Sequence, residues 1–167
     1  MLQLYILRHG EAGKRVPASS KDSDRALTVT GEKEVKEVAQ ALAALKVRPD
    51  FVATSPLKRA RQTAEIVAKA LRVKKGDFEE WSELKPEGRR PELYKKLSQL
   101  KPESKVMVVG HEPYLSTMVG EIAFGNSGGI VLKKAGIAKV TVTSFHPRIR
   151  GELRWLLAPR HMKQMVD

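Results

Sequence analysis

The sequence predicts an α/β protein built on a mostly parallel sheet, and three observations carry that prediction. Leu2, Leu4, Tyr5, Ile6 and Leu7 form a nearly unbroken apolar run, and Val106-Met107-Val108-Val109 forms a second. Such runs suit strands buried on both faces of a parallel sheet better than half-solvated ones. Each run stops at a histidine beside a glycine, in Arg8-His9-Gly10 and in Gly110-His111. Segments of helical period lie between and after these runs. Ligands of open α/β sheets bind beyond the carboxyl ends of the strands, so both histidines fall where a reaction centre is expected. The 167 residues suffice for one full hydrophobic core and are short for two, which predicts a single domain over 1–167.

The elements follow in order. The first strand covers the opening apolar run. Residues 11–24 are polar, contain Pro17 and read as a loop over the strand ends. Thr28 or Thr30 can cap a helix whose apolar stripe is Val35, Val38, Ala39, Leu42 and Leu45, and Pro49 ends it. Residues 50–54 form a second strand. Ser55-Pro56 then reads as a helix start with serine at the N-cap and proline at the first helical position. The stripe of that helix is Leu57, Ala60, Ala64, Val67 and Leu71, which places Arg59 in the first turn, aimed at the same edge as His9; Lys58 and Arg61 read as solvated charges. Residues 77–81 suit a short strand and residues 92–100 a modest helix. The strand at 105–109 and a helix over 114–124 follow. The apolar stretches 130–132, 137–145 and 152–157, separated by Gly136, Pro147 and Gly151, predict antiparallel strands that extend the sheet edge. His146 and His161 fall in a turn and a polar tail, and read as surface residues.

Composition narrows the partners. Lys+Arg number 31 against 19 Asp+Glu, a formal charge of +12 that favours anions. Basic residues come in scattered pairs, from Lys14-Arg15 to Lys133-Lys134, without one long run. Aromatic residues are only 5%, which disfavours a platform for stacking nucleic acid. The absence of cysteine excludes disulfides, thiolate nucleophiles and thiolate metal sites. No apolar run is long enough to span a bilayer, and the chain enters a strand without a basic leader; a cytoplasmic protein without a membrane partner is the expectation.

The residues at the first strand end suit phosphoryl chemistry. Arg8 offers a permanent charge and a planar fork of donors, His9 an imidazole that is neutral near pH 7, and Gly10 a backbone that can approach a ligand. A fixed cation beside the histidine opposes a bound metal and favours a phosphate. A neutral imidazole can attack phosphorus if its other nitrogen donates to a carbonyl. Phosphoryl transfer needs mainly positioning and charge neutralisation, which Arg8 and Arg59 can supply where other enzymes use magnesium. Neither a metal nor another cofactor is implied.

Leu7-Arg8-His9-Gly10-Glu11-Ala12, Leu27-Thr28 with Gly31, Ser55-Pro56 with Arg59-Ala60 and Gln62-Thr63, and Val109-Gly110-His111-Glu112-Pro113 together resemble the histidine phosphatase superfamily. The order and spacing are similar to its small members, the SixA-type phosphohistidine phosphatases, over residues 1–125. The resemblance implies a three-layer α/β/α sandwich of the phosphoglycerate-mutase-like kind, in a minimal form without a lid insertion. It implies His9 as the nucleophile, Arg8 and Arg59 as ligands of phosphoryl oxygens, and His111 as the completing group. Arg25 matches a further pocket arginine, although Ala26 stands where proline is common in the family. Larger relatives carry a carboxylic acid for an alkoxide leaving group; Glu83 is the best candidate by position, against the plain reading of a solvated loop glutamate. The expected activity is removal of phosphate from phosphohistidine in proteins, with a phosphorylated, acidic protein as partner and phosphate or another oxyanion in the pocket. The alternatives are a phosphatase of small esters or nucleotides, and a basic polyphosphate or nucleic-acid binding module without turnover. A mere binder would not require a nucleophile.

Overall fold

The computed structural model describes residues 1–14 and 21–166, so the expectations for Arg15 and Pro17 lie outside the described residues. The strands are β1 (Leu2–Arg8), β2 (Phe51–Thr54), β3 (Phe78–Glu80), β4 (Lys105–Gly110), β5 (Ile137–Ser144) and β6 (Arg150–Leu157). The helices are α1 (Val29–Ala44), α2 (Lys58–Ala70), α3 (Arg90–Ser98), α4 (Tyr114–Phe124) and α5 (Pro159–Gln164). One six-stranded sheet runs β3-β2-β4-β1-β5-β6. Its first four strands are parallel, and β5 and β6 pair antiparallel at the other edge, as the tail pattern predicts.

Alternation along each strand sends side chains to opposite faces, and two cores result. Leu2, Leu4 and Ile6 pack with Val106, Val108 and the apolar residues of α3 and α4. Tyr5 and Leu7 pack on the other face with Met107, Val109, α1, α2 and Met162 of α5. The result is the three-layer sandwich. Among the described residues no helix is long and apolar enough to cross a membrane.

Thr28 caps α1, its hydroxyl accepting from the Gly31 N–H; Thr30 does not. The helix stops at Ala44, well before Pro49, and leaves Leu45 of the expected stripe exposed. The second helix begins at Lys58 rather than Pro56, because the Ser55 N–H still pairs with the Val109 carbonyl at 2.9 Å and extends the ladder one residue past β2. The third begins at Arg90, two residues before its expected start, with Pro91 in its first turn. Residues 130–132 are not a strand: Leu132 is buried and its carbonyl accepts from the Arg8 side chain. The polar tail holds a helix absent from the sequence reading, α5, started by Pro159 and anchored by buried Met162. Residues 71–104 form no separate cover, since Leu84, Leu93 and Leu97 belong to the core.

Candidate active site

Parallel pairing of β1 with β4 sets Arg8 opposite Gly110, so the residues that follow, His9 and His111, leave the sheet side by side. The His9 N–H donates to the Gly110 carbonyl at 3.1 Å, and the two rings lie 5.2 Å apart between centroids. Both are buried, His9 at 8% exposure and His111 at 2%. His9 Nδ1 lies 2.6 Å from the Gly10 carbonyl oxygen. A carbonyl can only accept, so Nδ1 carries the proton and Nε2 keeps its lone pair.

Gly10 holds this arrangement from behind. Its N–H donates to Thr63 Oγ1 at 3.1 Å, and that hydroxyl donates to the Arg59 carbonyl at 2.8 Å. A Cβ on Gly10 would lie 2.5 Å from Val35 Cγ2 of α1. Its missing side chain thus serves helix packing. Gly10 is absent from the cavity lining, and both its backbone polar groups are engaged, which corrects the expectation that its backbone meets the phosphate.

Three arginines surround the cavity. Arg59, on the first turn of α2, is 4% exposed; its Nη1 donates to the Asp22 carbonyl at 3.0 Å and its Nη2 to Asp22 Oδ2 at 3.2 Å. Arg25 donates from Nε to Asp22 Oδ1 at 2.8 Å and from Nη1 to the Gly13 carbonyl at 3.1 Å. Arg8 donates from Nη1 to the Leu132 carbonyl at 2.9 Å, and its buried Nε has no partner. Asp22 therefore bridges two pocket cations. Partial burial works to raise its pKa, but the guanidiniums of Arg25 and Arg59 outweigh that and hold it below the usual carboxylate range.

His111 Nε2 lies 2.8 Å from Ser55 Oγ, which also accepts from the Leu57 N–H at 3.2 Å. The Ser55 oxygen keeps a second lone pair beside the one that Leu57 uses, so it can donate to Nε2 or accept from it, and the buried Nδ1 has no partner. Burial lowers the His9 pKa to about 4, with Arg59, Arg8 and Arg25 adding to the shift against the hydrogen bond that His9 donates to the Gly10 carbonyl. Burial, then His9 and Arg59, lower that of His111 to about 3. Both rings are neutral at neutral pH.

The cavity measures about 280 Å³, and Arg8, His9, Arg25, Arg59 and His111 all line it. Glu83 does not. Its carboxylate is 3.3 Å from Lys96 Nζ, and its carbonyl accepts from the Tyr114 hydroxyl at 2.6 Å. The carboxylates on the cavity wall belong to Asp22 and Glu112. Both were missed in the sequence, although Asp22 stands three residues before Arg25 and Glu112 directly follows His111.

A sequence profile of the histidine phosphatase superfamily (branch 1) matches residues 4–92. The chain belongs to that superfamily. It is 32% identical over 164 residues to the phosphohistidine phosphatase SixA of Escherichia coli, covering 97% of each chain. An uncharacterized protein of Picosynechococcus is 41% identical over 140 residues, 81% of this chain and 82% of its own. The structure of the protein histidine phosphatase SixA complexed with tungstate superposes with a TM-score of 0.83 at 31% identity, covering 96% of this chain and 99% of that one. These likenesses support a phosphatase with the phosphoglycerate-mutase-like sandwich.

Proposed function

We propose that this superfamily member is a metal-independent phosphatase that takes the phosphoryl group of a protein phosphohistidine onto His9 and releases it to water. The observation that carries this reading is the unprotonated Nε2 of His9, fixed by the Gly10 carbonyl inside a ring of three guanidiniums. In the first step Nε2 attacks phosphorus while the substrate's P–N bond breaks, and the departing imidazole keeps the bond's electron pair and a proton. Its reference pKa is about 6.5, so it leaves neutral near physiological pH without a strong dedicated acid. In the second step water attacks phosphorus, the P–Nε2 bond breaks, and phosphate departs. Arg8, Arg25 and Arg59 hold the equatorial oxygens, and the unpartnered His111 Nδ1 supplies one more donor in the tautomer whose Nε2 accepts from the Ser55 hydroxyl. An entering phosphoryl group takes over the guanidinium bonds that Asp22 occupies. The SixA structure complexed with tungstate, an oxyanion, supports an oxyanion as a ligand of this chain.

Rapid quench with labelled phosphohistidine protein tests the covalent step. The wild type should accumulate an acid-labile, alkali-stable phosphoprotein, and His9→Ala should neither accumulate it nor turn over. Label on a serine would sink the assignment. One observation favours a second reading, a phosphatase of small esters: Glu112 lies on the cavity wall, where its carboxyl group in the protonated form can give a proton to a departing alkoxide and be left as the carboxylate. A panel of phosphohistidine protein, phosphoserine peptide and small esters separates the two by kcat/KM.

A further inference from the structure

A second, larger cleft of about 670 Å³ adjoins the phosphoryl cavity at the same edge of the sheet. Lys133, Lys134 and Arg160 line it, and Arg8 and Lys134 are common to the walls of both cavities. Its one carboxylate, Glu34, is neutralised by Lys163 at 3.0 Å. Among the described residues Lys133, Lys134 and Arg160 make no ion pair. The cleft thus presents uncompensated positive charge directly beside the reacting centre.

The lysines are not on a free loop. The segment carrying them is stitched to the nucleophile strand by the Ala135 N–H to the His9 carbonyl (3.1 Å), the Arg8 N–H to the Gly136 carbonyl (3.0 Å) and Arg8 Nη1 to the Leu132 carbonyl (2.9 Å). The turn is closed by the Gly136 N–H to the Lys133 carbonyl at 2.7 Å. It requires Ala135, fully buried, to adopt φ 57°, a left-handed conformation that is strained for a non-glycine residue. Strain kept beside a reaction centre is a pointer to function. Here it fixes two lysines relative to His9.

We propose that this cleft is a second anion subsite, and that the phosphoprotein substrate carries a carboxylate side chain close to its phosphohistidine, seated against Lys133, Lys134 and Arg160 while the phosphoryl group occupies the His9 cavity. The inference rests on the phosphohistidine reading above and adds to it a required charge in the substrate. Arg8, which faces both cavities, links the two anions.

The test uses peptides with a stable phosphoryltriazole in place of phosphohistidine, flanked by glutamates, alanines or lysines, with binding read by fluorescence anisotropy; the phosphohistidine versions are followed for turnover. Wild type should bind the glutamate-flanked peptide about tenfold more tightly than the alanine-flanked one, with the margin shrinking as salt rises. Lys133→Glu combined with Arg160→Glu should reverse the order, favouring the lysine-flanked peptide. Both residues are exposed, so the variant should fold, and the swapped preference is a gain that misfolding cannot mimic. If wild type turns over phosphohistidine peptides without regard to flanking charge, or the variant keeps the wild-type order, the subsite is wrong and the phosphatase reading stands. If no phosphohistidine peptide is bound or turned over, that reading falls and the subsite with it.

Discussion

Burial and three guanidiniums favour the neutral form of the His9 imidazole and outweigh the opposing pull of the Gly10 carbonyl, which fixes the proton on the far nitrogen. The phosphoryl group then finds its partners in side chains that are already positioned. Arg59→Ala and His111→Ala, which each remove such a partner, should lower kcat/KM for phosphohistidine protein by about a hundredfold, whereas Glu83→Gln should change it less than about twofold. A large loss in Glu83→Gln would show that its carboxylate leaves Lys96 during turnover and serves as the acid. Arg8, His9, Arg59 and His111 were legible because strand ends and a helix first turn fix where side chains point, and the cavity gathers all four with Arg25. Asp22 was not, since its place depends on a loop folding back over α2, and no periodic pattern reports such a fold. Glu83 was placed by sequence position alone, and its lysine partner thirteen residues later decides its direction.

Element packing gives His9 its orientation. Because α1 approaches within reach of a missing side chain, Gly10→Ala should push Val35 or the strand end outward, costing about 1–3 kcal/mol and displacing the His9 ring. Urea unfolding should show that loss together with a fall in kcat, and the added Val35→Ala should restore part of both; no rescue would mean that the glycine is needed for another reason. The strands and α4 were readable from continuous apolar runs and helical period. The stretch at 130–132 misled because apolar residues that plug a core and apolar residues in a ladder look alike; what separates them is the Leu132 carbonyl, spent on a guanidinium. Six residues of α5 span under two turns, too few for periodicity to announce a helix.

At the scale of the whole molecule, the two buried histidines couple folding to acidity. Their folded pKa values lie below the ordinary 6.5, so between about pH 6.5 and 4 the unfolded chain binds more protons, and stability present above 6.5 is lost as pH falls. The urea midpoint should drop between pH 7.5 and 5, less so in a His9→Gln, His111→Gln double variant; an equal drop in both would place the effect elsewhere. Turnover should survive EDTA, because guanidiniums provide the positive charge, and activity lost to chelation but recovered with zinc or magnesium would refute this. Layer architecture and a parallel sheet with an antiparallel edge were foreseeable from the order of runs, whereas the strand order, which decides that the histidines meet, is a property of long-range pairing. That order also sets a timetable. β1 is made before both its neighbours, β4 and β5, which belong to the last 63 of the 167 residues. On a ribosome, β1 waits without a strand partner while residues 9–104 are added, for several seconds at usual synthesis rates. Until then the chain holds an apolar strand in need of cover and half of the His9–His111 pair, so the cavity cannot be acquired piecemeal: the closing of the sheet and the birth of the candidate site are one event.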